Sequence, residues 1–373
     1  MSVTVRPAPA AAPPVTGPAA RAAAGVAGWG SALPTQVVTN ADLQRRLDTD
    51  DEWITTRTGI RERRIAVDGE TTGPLAVRAA RNALHAAGLA ATDIDLVVVA
   101  TCTAEVPMPS TAALVAAELG TTAGGFDLDA ACAGFGYALA ATASLLSTGI
   151  ARRALLIGAD TMSRVVDPDD RATAVLFGDG AAALVLTDPS IVDLPPAQVG
   201  ERGDRSAGGR SGAATPLPGL LAADLVIDGA GIDLLRIPAG GSRLPTSAAT
   251  LAAGGQFLQM EGRELFRRAV REVVDSVERT LGRAGVSAAD VDWFAPHQAN
   301  ARIVDAVVAR TGLAADRTLG NGDRYGNTSA ASIPLALAEA ATAGRLHDGD
   351  LVLVSGFGAG LSVGTVLWRW GRS

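Results

Sequence analysis

GLAATDIDL (88–96) and GVSAADVDW (285–293) are one nine-residue phrase written twice, 285 − 88 = 197 positions apart. Each copy follows a stretch of helical apolar period, about 74–87 and about 261–283, and each leads into an apolar strand, Leu96–Ala100 and Trp293–Ala295. A second echo, Leu155-Leu-Ile against Leu351-Val-Leu, keeps nearly the same register at an offset of 196. Strand–helix alternation in both copies predicts two α/β halves of similar topology with mostly parallel sheets.

Composition bounds the rest. The 373 residues are 48% hydrophobic and 19% charged, as expected of two domains or one doubled domain with a sizeable core. There are 43 glycines and few aromatics, which predicts close packing through small side chains. Every basic residue is Arg, a mark of GC-rich coding, and the net charge of −7 argues against nucleic acid as the main partner. Two cysteines 30 positions apart, with no CxxC, fit a reducing cytoplasm. Prolines interrupt the first 22 residues, which read as a disordered tail rather than a signal peptide, and no apolar run is long enough to span a membrane. The expected organisation is therefore an Ala/Pro tail (1–22), a first half (23–190), a flexible Gly/Ser/Arg/Pro-rich insertion (191–225) and a second half (226–373).

Cys132 lies in DLDAACAGFGYALA (127–140), between an apolar-alternating approach and a small-residue run from Ala133 to Ser147 that reads as a buried helix. A thiol at a strand end and helix start meets unpaired N–H groups and the positive end of the macrodipole, which favour a thiolate. The repeat offset sets the start of this helix against Thr328 or Ser329, just after Asn327, and sets Ala100 against His297. A pseudo-two-fold pairing of the halves brings these strand ends and helix starts together, where ligands of α/β sheets usually bind. Asn327 by itself reads as an ordinary helix cap. His85 and His347 read as surface residues, and Cys102 as a buried structural one.

Three stretches, AACAGF around Cys132, APHQANARI around His297 and RYGNTSAASIP around Asn327, are supported by DEWITTRTGIRERRIA (51–66), DPDDRATAVLFGDGAAALVL (167–186) and MEGRELFRRAV (260–270). Together they resemble the β-ketoacyl-acyl-carrier-protein synthase III family, of actinobacterial type, from about Val26 to Trp370. That resemblance implies a thiolase-like α/β fold of duplicated halves layered α-β-α-β-α. It implies a cytoplasmic homodimeric acyltransferase that joins an acyl-CoA primer to malonyl-acyl-carrier protein and so starts fatty-acid chains. It implies no cofactor and no metal.

Residue by residue, the resemblance makes Cys132, His297 and Asn327 catalytic, Cys132 carrying the acyl group and the other two donating to the developing enolate oxygen. The backbone amides of Cys132 and Ala359, in GFGAG (356–360), would form the oxyanion hole. Trp53, Arg57 and Arg171 match coenzyme A contacts. Gln298, Ala299, Asn300, Ala301, Arg302 and Arg267 match the carrier-protein surface. Met108 and Phe357 match the acyl pocket. Met108, in EVPMPS (105–110), stands where many members have Phe bounding that pocket across the dimer interface. A flexible Met there predicts branched or longer primers. The stretch Leu361-Ser-Val-Gly lacks the aromatic residue often seen in the family.

Gly360-Leu-Ser362-Val-Gly364 fits the GxSxG hydrolase pattern, but a strand is expected after it and no His follows. A type III polyketide synthase, which takes malonyl-CoA directly, a specialised polyketide-priming ketosynthase or acyltransferase of the same fold, and a non-catalytic partner subunit are the alternatives. Retention of Cys, His and Asn argues against the last.

Overall fold

A computed structural model of the chain describes residues 22–188 and 217–372. The expected tail, except Ala22, and the insertion up to residue 216 lie outside the described residues.

Two five-stranded sheets carry the fold. The first is built from β1 (Gly25–Ala32), β2 (Leu96–Ala100), β3 (Gly124–Leu128), β4 (Arg153–Thr161) and β5 (Asp179–Thr187), in the spatial order β1-β5-β4-β2-β3. The second holds β6 (Gly219–Ile227), β7 (Trp293–Pro296), β8 (Leu351–Gly358) and β9 (Ser362–Arg369), in the order β6-β9-β8-β7, with Ala22–Ala23 added outside β6. Four strands repeat one order, β1-β5-β4-β2 matching β6-β9-β8-β7, as the doubled sequence predicts, while the fifth strands, β3 and Ala22–Ala23, lie at opposite edges. Residues 219–225, expected to close the insertion, instead form most of β6, whose whole length is hydrogen-bonded along β9.

The sheets are mixed, not mostly parallel. Only β2 with its neighbours β3 and β4, and β7 with β8, run parallel. β8 turns into β9 through Ala359–Leu361, a link too short for the crossover that parallel pairing requires.

The hydrogen-bond ladder also corrects the repeat. Val97 pairs with Leu155, and Phe294, 197 positions on from Val97, pairs with Leu353. Leu155 is therefore equivalent to Leu353, an offset of 353 − 155 = 198, and not to Leu351. An apolar strand reads alike two residues along, so composition alone could not set its register.

Among the described residues seven helices have eight residues or more: α1 (Asp51–Thr58), α2 (Thr72–Ala87), α3 (Thr111–Leu119), α4 (Gly134–Ser147), α5 (Gly262–Ala284), α6 (Ala301–Thr311) and α7 (Ser332–Thr342). α2 covers the outer face of the first sheet and α5 that of the second, while α4 and α7 lie between the sheets. This is the expected five-layer stack. All five residues of β2 are buried because both its faces are covered: Leu96, Val98 and Ala100 join the central core, Val97 and Val99 the core under α2. α4 approaches β9 so closely that a Cβ on Gly136 would lie 2.6 Å from the Gly364 carbonyl oxygen. At the helix starts themselves a Cβ on Gly134 would lie 3.7 Å from Ala330 Cβ, so small residues bring the two starts into one another's reach.

Candidate active site

Cys132 sits in a 3-10 turn, Ala131–Ala133, that runs into α4. The equivalent turn, Ser329–Ala331, runs into α7. Each turn opens on a left-handed residue, Ala131 at φ 47° and Ser329 at φ 50°, a conformation that costs energy for a side chain bearing Cβ. The two turns face each other, and the Cys132 thiol donates to Ser329 Oγ at 3.2 Å.

The address of Cys132 is the expected one; its resting protonation is not. Burial pushes the thiol up to about 12, with the hydrogen bond that the Ser329 hydroxyl can give the thiolate opposing and the Asp160 carboxylate adding to the rise. Removing the sulfur from water outweighs the hydrogen bonds that favour the thiolate, so the resting group is a thiol. Asp160 ends β4 as a fully buried carboxylate. Its Oδ1 accepts from the Cys102 and Thr103 amides and from the Thr101 and Thr103 hydroxyls, and its Oδ2 accepts from the Ala330 amide. It ties the end of the first half's strand to the start of the second half's turn. The sequence reading missed it, although a lone charge ending an apolar run was the available signal.

His297 continues β7 by donating its amide to the Ser355 carbonyl at 2.8 Å. Its Nδ1 lies 2.7 Å from Ser332 Oγ and its ring meets Phe357 edge-on at 5.4 Å. Burial without a charged partner lowers the imidazole to about 3, so it is neutral. Asn327 is held by its own backbone, the amide donating to Leu176 and the carbonyl accepting from Gly178. Its Oδ1 accepts the Ser329 amide at 2.9 Å, which fixes the side-chain amide and leaves Nδ2 as the free donor end. Asn327 therefore lies one residue ahead of the cap position, which Thr328 takes, and its side chain braces the turn from there while keeping a donor free.

Two cavities meet at Cys132, sharing it with Phe177 and Leu235. The larger, about 350 Å³, is walled by Cys102, Ala130, Met162, Val165, Leu258 and Ala359 among others. The smaller, about 150 Å³, takes in His297, Asn327, Asn300, Phe266 and Phe357. Phe357, expected in the acyl pocket, therefore bounds the His297 side, because its ring packs on the imidazole. Met108 lines neither cavity and is 86% exposed. Cys102 is half-buried and lines the larger cavity, with its Sγ 3.5 Å from Ser329 Oγ, so it is not simply a buried structural residue. Gly358 passes so close to the nucleophile turn that a Cβ there would meet the Cys132 nitrogen at 2.7 Å, which seats Ala359 beside it.

On the surface, two guanidinium groups lie over the ring of Trp53 of α1, Arg57 at 4.6 Å and Arg171 at 4.9 Å from its centre. Arg171 is tethered by the Asp48 carbonyl at 2.6 Å. The carrier-protein candidates divide. Arg267 and Arg302 are exposed, Arg267 paired with Glu264 and Arg302 stacked on Phe266. Ala301 is exposed too, whereas Ala299 and Asn300 line the smaller cavity and Asn300 Oδ1 caps α6 through the Arg302 amide. Gln298 is turned inward, its Nε2 donating to the Pro296 and Leu319 carbonyls, and offers no free amide to a partner. His85 and His347 are exposed as expected, and a strand follows Ser362, so GxSxG is no nucleophile elbow here.

A doubled five-layer fold with a cysteine at the start of one central helix defines the thiolase-like class, and the comparisons narrow it. Residues 126–194 match 3-oxoacyl-[acyl-carrier-protein (ACP)] synthase III and residues 281–370 its C-terminal region. The chain is 47% identical over 349 residues to a β-ketoacyl-[acyl-carrier-protein] synthase III of Symbiobacterium thermophilum, covering 93% of this chain and 98% of the relative. A 3-oxoacyl-(acyl carrier protein) synthase III from Pseudomonas aeruginosa PAO1 superposes with a TM-score of 0.79 at 44% identity, over 94% of this chain and 99% of that one. The priming β-ketosynthase of the R1128 polyketide pathway superposes with a TM-score of 0.80 at 36% identity, over 95% and 98%. The chain belongs to the 3-oxoacyl-[acyl-carrier-protein] synthase III family.

Proposed function

We propose that this chain condenses an acyl-CoA primer with malonyl-acyl-carrier protein and so starts fatty-acid chains. The observation that carries the reading is the meeting of two cavities at one thiol, with His297 and Asn327 on one side only.

In the first half-reaction the Cys132 sulfur attacks the primer thioester. An S–C bond forms, the bond to the coenzyme sulfur breaks, and the thiol proton leaves with coenzyme A. In the second, malonyl thioester loses carbon dioxide, and the electron pair left behind delocalises onto the thioester oxygen. His297 and Asn327 Nδ2 donate to that oxygen as charge builds on it. The carbanion attacks the acyl-Cys132 carbonyl, whose oxyanion is held by the Cys132 and Ala359 amides. The C–S bond then breaks, and the thiolate takes a proton from water. The bonds made and broken balance among the substrates, water and Cys132 with no redox step, and the reaction as written uses no cofactor and no metal.

Trp53, Arg57 and Arg171 supply flat and cationic surface for the coenzyme. Arg267, Arg302 and Ala301 face an acidic carrier protein. The larger, mainly apolar cavity favours primers bulkier than acetyl. Exposed Met108 is presented to a second copy in a homodimer. No helix among the described residues is long and apolar enough to cross a membrane, and we assign the enzyme to the cytoplasm, where acyl-CoA and carrier protein are supplied.

Incubating the protein with a panel of acyl-CoA primers and malonyl-acyl-carrier protein tests the reading by product mass. A 3-oxoacyl product and an acyl mass on the protein are expected, and Cys132→Ala should lose both. Product from malonyl-CoA but none from malonyl-acyl-carrier protein would sink it.

A further inference from the structure

Ser332 opens α7 with its hydroxyl 2.7 Å from His297 Nδ1 and 2.9 Å from the Ser329 carbonyl. One hydroxyl proton can go to only one of them. The Ser329 carbonyl already accepts the backbone amide of Ser332. Nδ1 is nearer, and a neutral imidazole nitrogen is a stronger base than an amide oxygen. The Gln298 amide, 3.4 Å away, points its proton at the Ser332 oxygen and leaves that hydroxyl free to give its own. We propose that Ser332 is a positioning residue that gives its proton to His297 Nδ1 and so holds the ring in the tautomer with hydrogen on Nε2, the nitrogen left to the smaller cavity.

Ser329 and Ser332 then form a bracket of one helical turn. The side chain of the first holds Cys132, and the side chain of the second sets which end of His297 is a donor. A ring with hydrogen on Nδ1 would present a lone pair to the enolate oxygen and repel it. The use made of the Nε2 proton rests on the condensing reading; the tautomer itself does not.

The chain has three histidines, and His85 and His347 are exposed, so histidine-selective nitrogen-15 labelling gives three ring systems. The His297→Gln spectrum assigns the one of interest. Long-range proton–nitrogen correlation should show His297 bare at Nδ1 and protonated at Nε2 in the resting protein. Ser332→Ala should abolish that preference and slow the condensing half-reaction roughly tenfold, with acylation of Cys132 changed less than about twofold. Ser332→Thr, which keeps the hydroxyl, should restore both. A proton on Nδ1 in the unaltered protein, or an unchanged tautomer in Ser332→Ala, overturns the proposal. If Ser332→Ala fails to fold, the unaltered protein and Ser332→Thr still decide it. The proposed tautomer without any 3-oxoacyl product would instead refute the condensing reading.

Discussion

Cys132 Sγ and Ser329 Oγ are 197 residues apart in the chain and 3.2 Å apart in space. The thiol of one half is held by the hydroxyl that opens the equivalent turn of the other. Neither half alone contains the site, which depends on α4 and α7 sharing one central layer.

Alkylation tests the resting thiol. Because burial pushes Cys132 up to about 12, its thiolate fraction at neutral pH is small and should grow about tenfold per pH unit. Iodoacetamide labelling of the Cys132 peptide should therefore keep climbing past pH 9, and a plateau near pH 7 would contradict the assignment. Ser329→Ala removes the hydroxyl that can turn and donate to the thiolate, so labelling at pH 8 should fall, by roughly three- to tenfold.

His297 makes the fold acid-sensitive. Its folded value of about 3 lies below the ordinary 6.5, so the unfolded chain takes up the proton first. Stability from this group is complete above pH 6.5 and is lost as pH falls toward 3. Chemical denaturation of His297→Gln across that window should show a pH slope shallower by about 1.4 kcal/mol per unit. Equal slopes would show that the imidazole is not buried neutral.

Trp53 and its two guanidinium partners face coenzyme A in the proposed reading, and they lie apart from the reacting atoms. Trp53→Ala should raise KM for acyl-CoA roughly tenfold and leave the reaction of preformed acyl-enzyme with malonyl-acyl-carrier protein unchanged. Stopped-flow acylation and single-turnover condensation separate the two. Equal losses in both would remove Trp53 from the coenzyme site.

Primer size should follow the larger cavity. The unaltered protein is expected to turn over isobutyryl-CoA better than acetyl-CoA, and Cys102→Phe, which puts a ring into that space, should reverse the order by roughly tenfold in kcat/KM. A preference for acetyl-CoA in the unaltered protein would defeat the expectation drawn from Met108 and the cavity alike.

That Cys132, His297 and Asn327 meet at one cavity was legible because each sits in a short motif at a strand or helix end, and the repeat gave them a reason to face one another. Side-chain direction was not legible. Gln298 and Phe357 lie in matching motifs, yet one turns into the Leu319 carbonyl and the other onto His297, choices made by neighbours distant in sequence. In the sequence Ser332 is one of several small residues at a helix start, and only the packing of α7 against β7 reveals its partner. Asp160 was hidden for the same reason, since its donors come from both halves. The mixed sheets escaped because periodicity marks strands without marking their direction.

One consequence of the shared cavity wall is kinetic. A single sulfur stands where both spaces meet, so free coenzyme A must depart before a second thioester can reach it. Between the two half-reactions the protein is a chemically altered species that stores the choice of primer, and initial-rate plots against both substrates should be parallel lines.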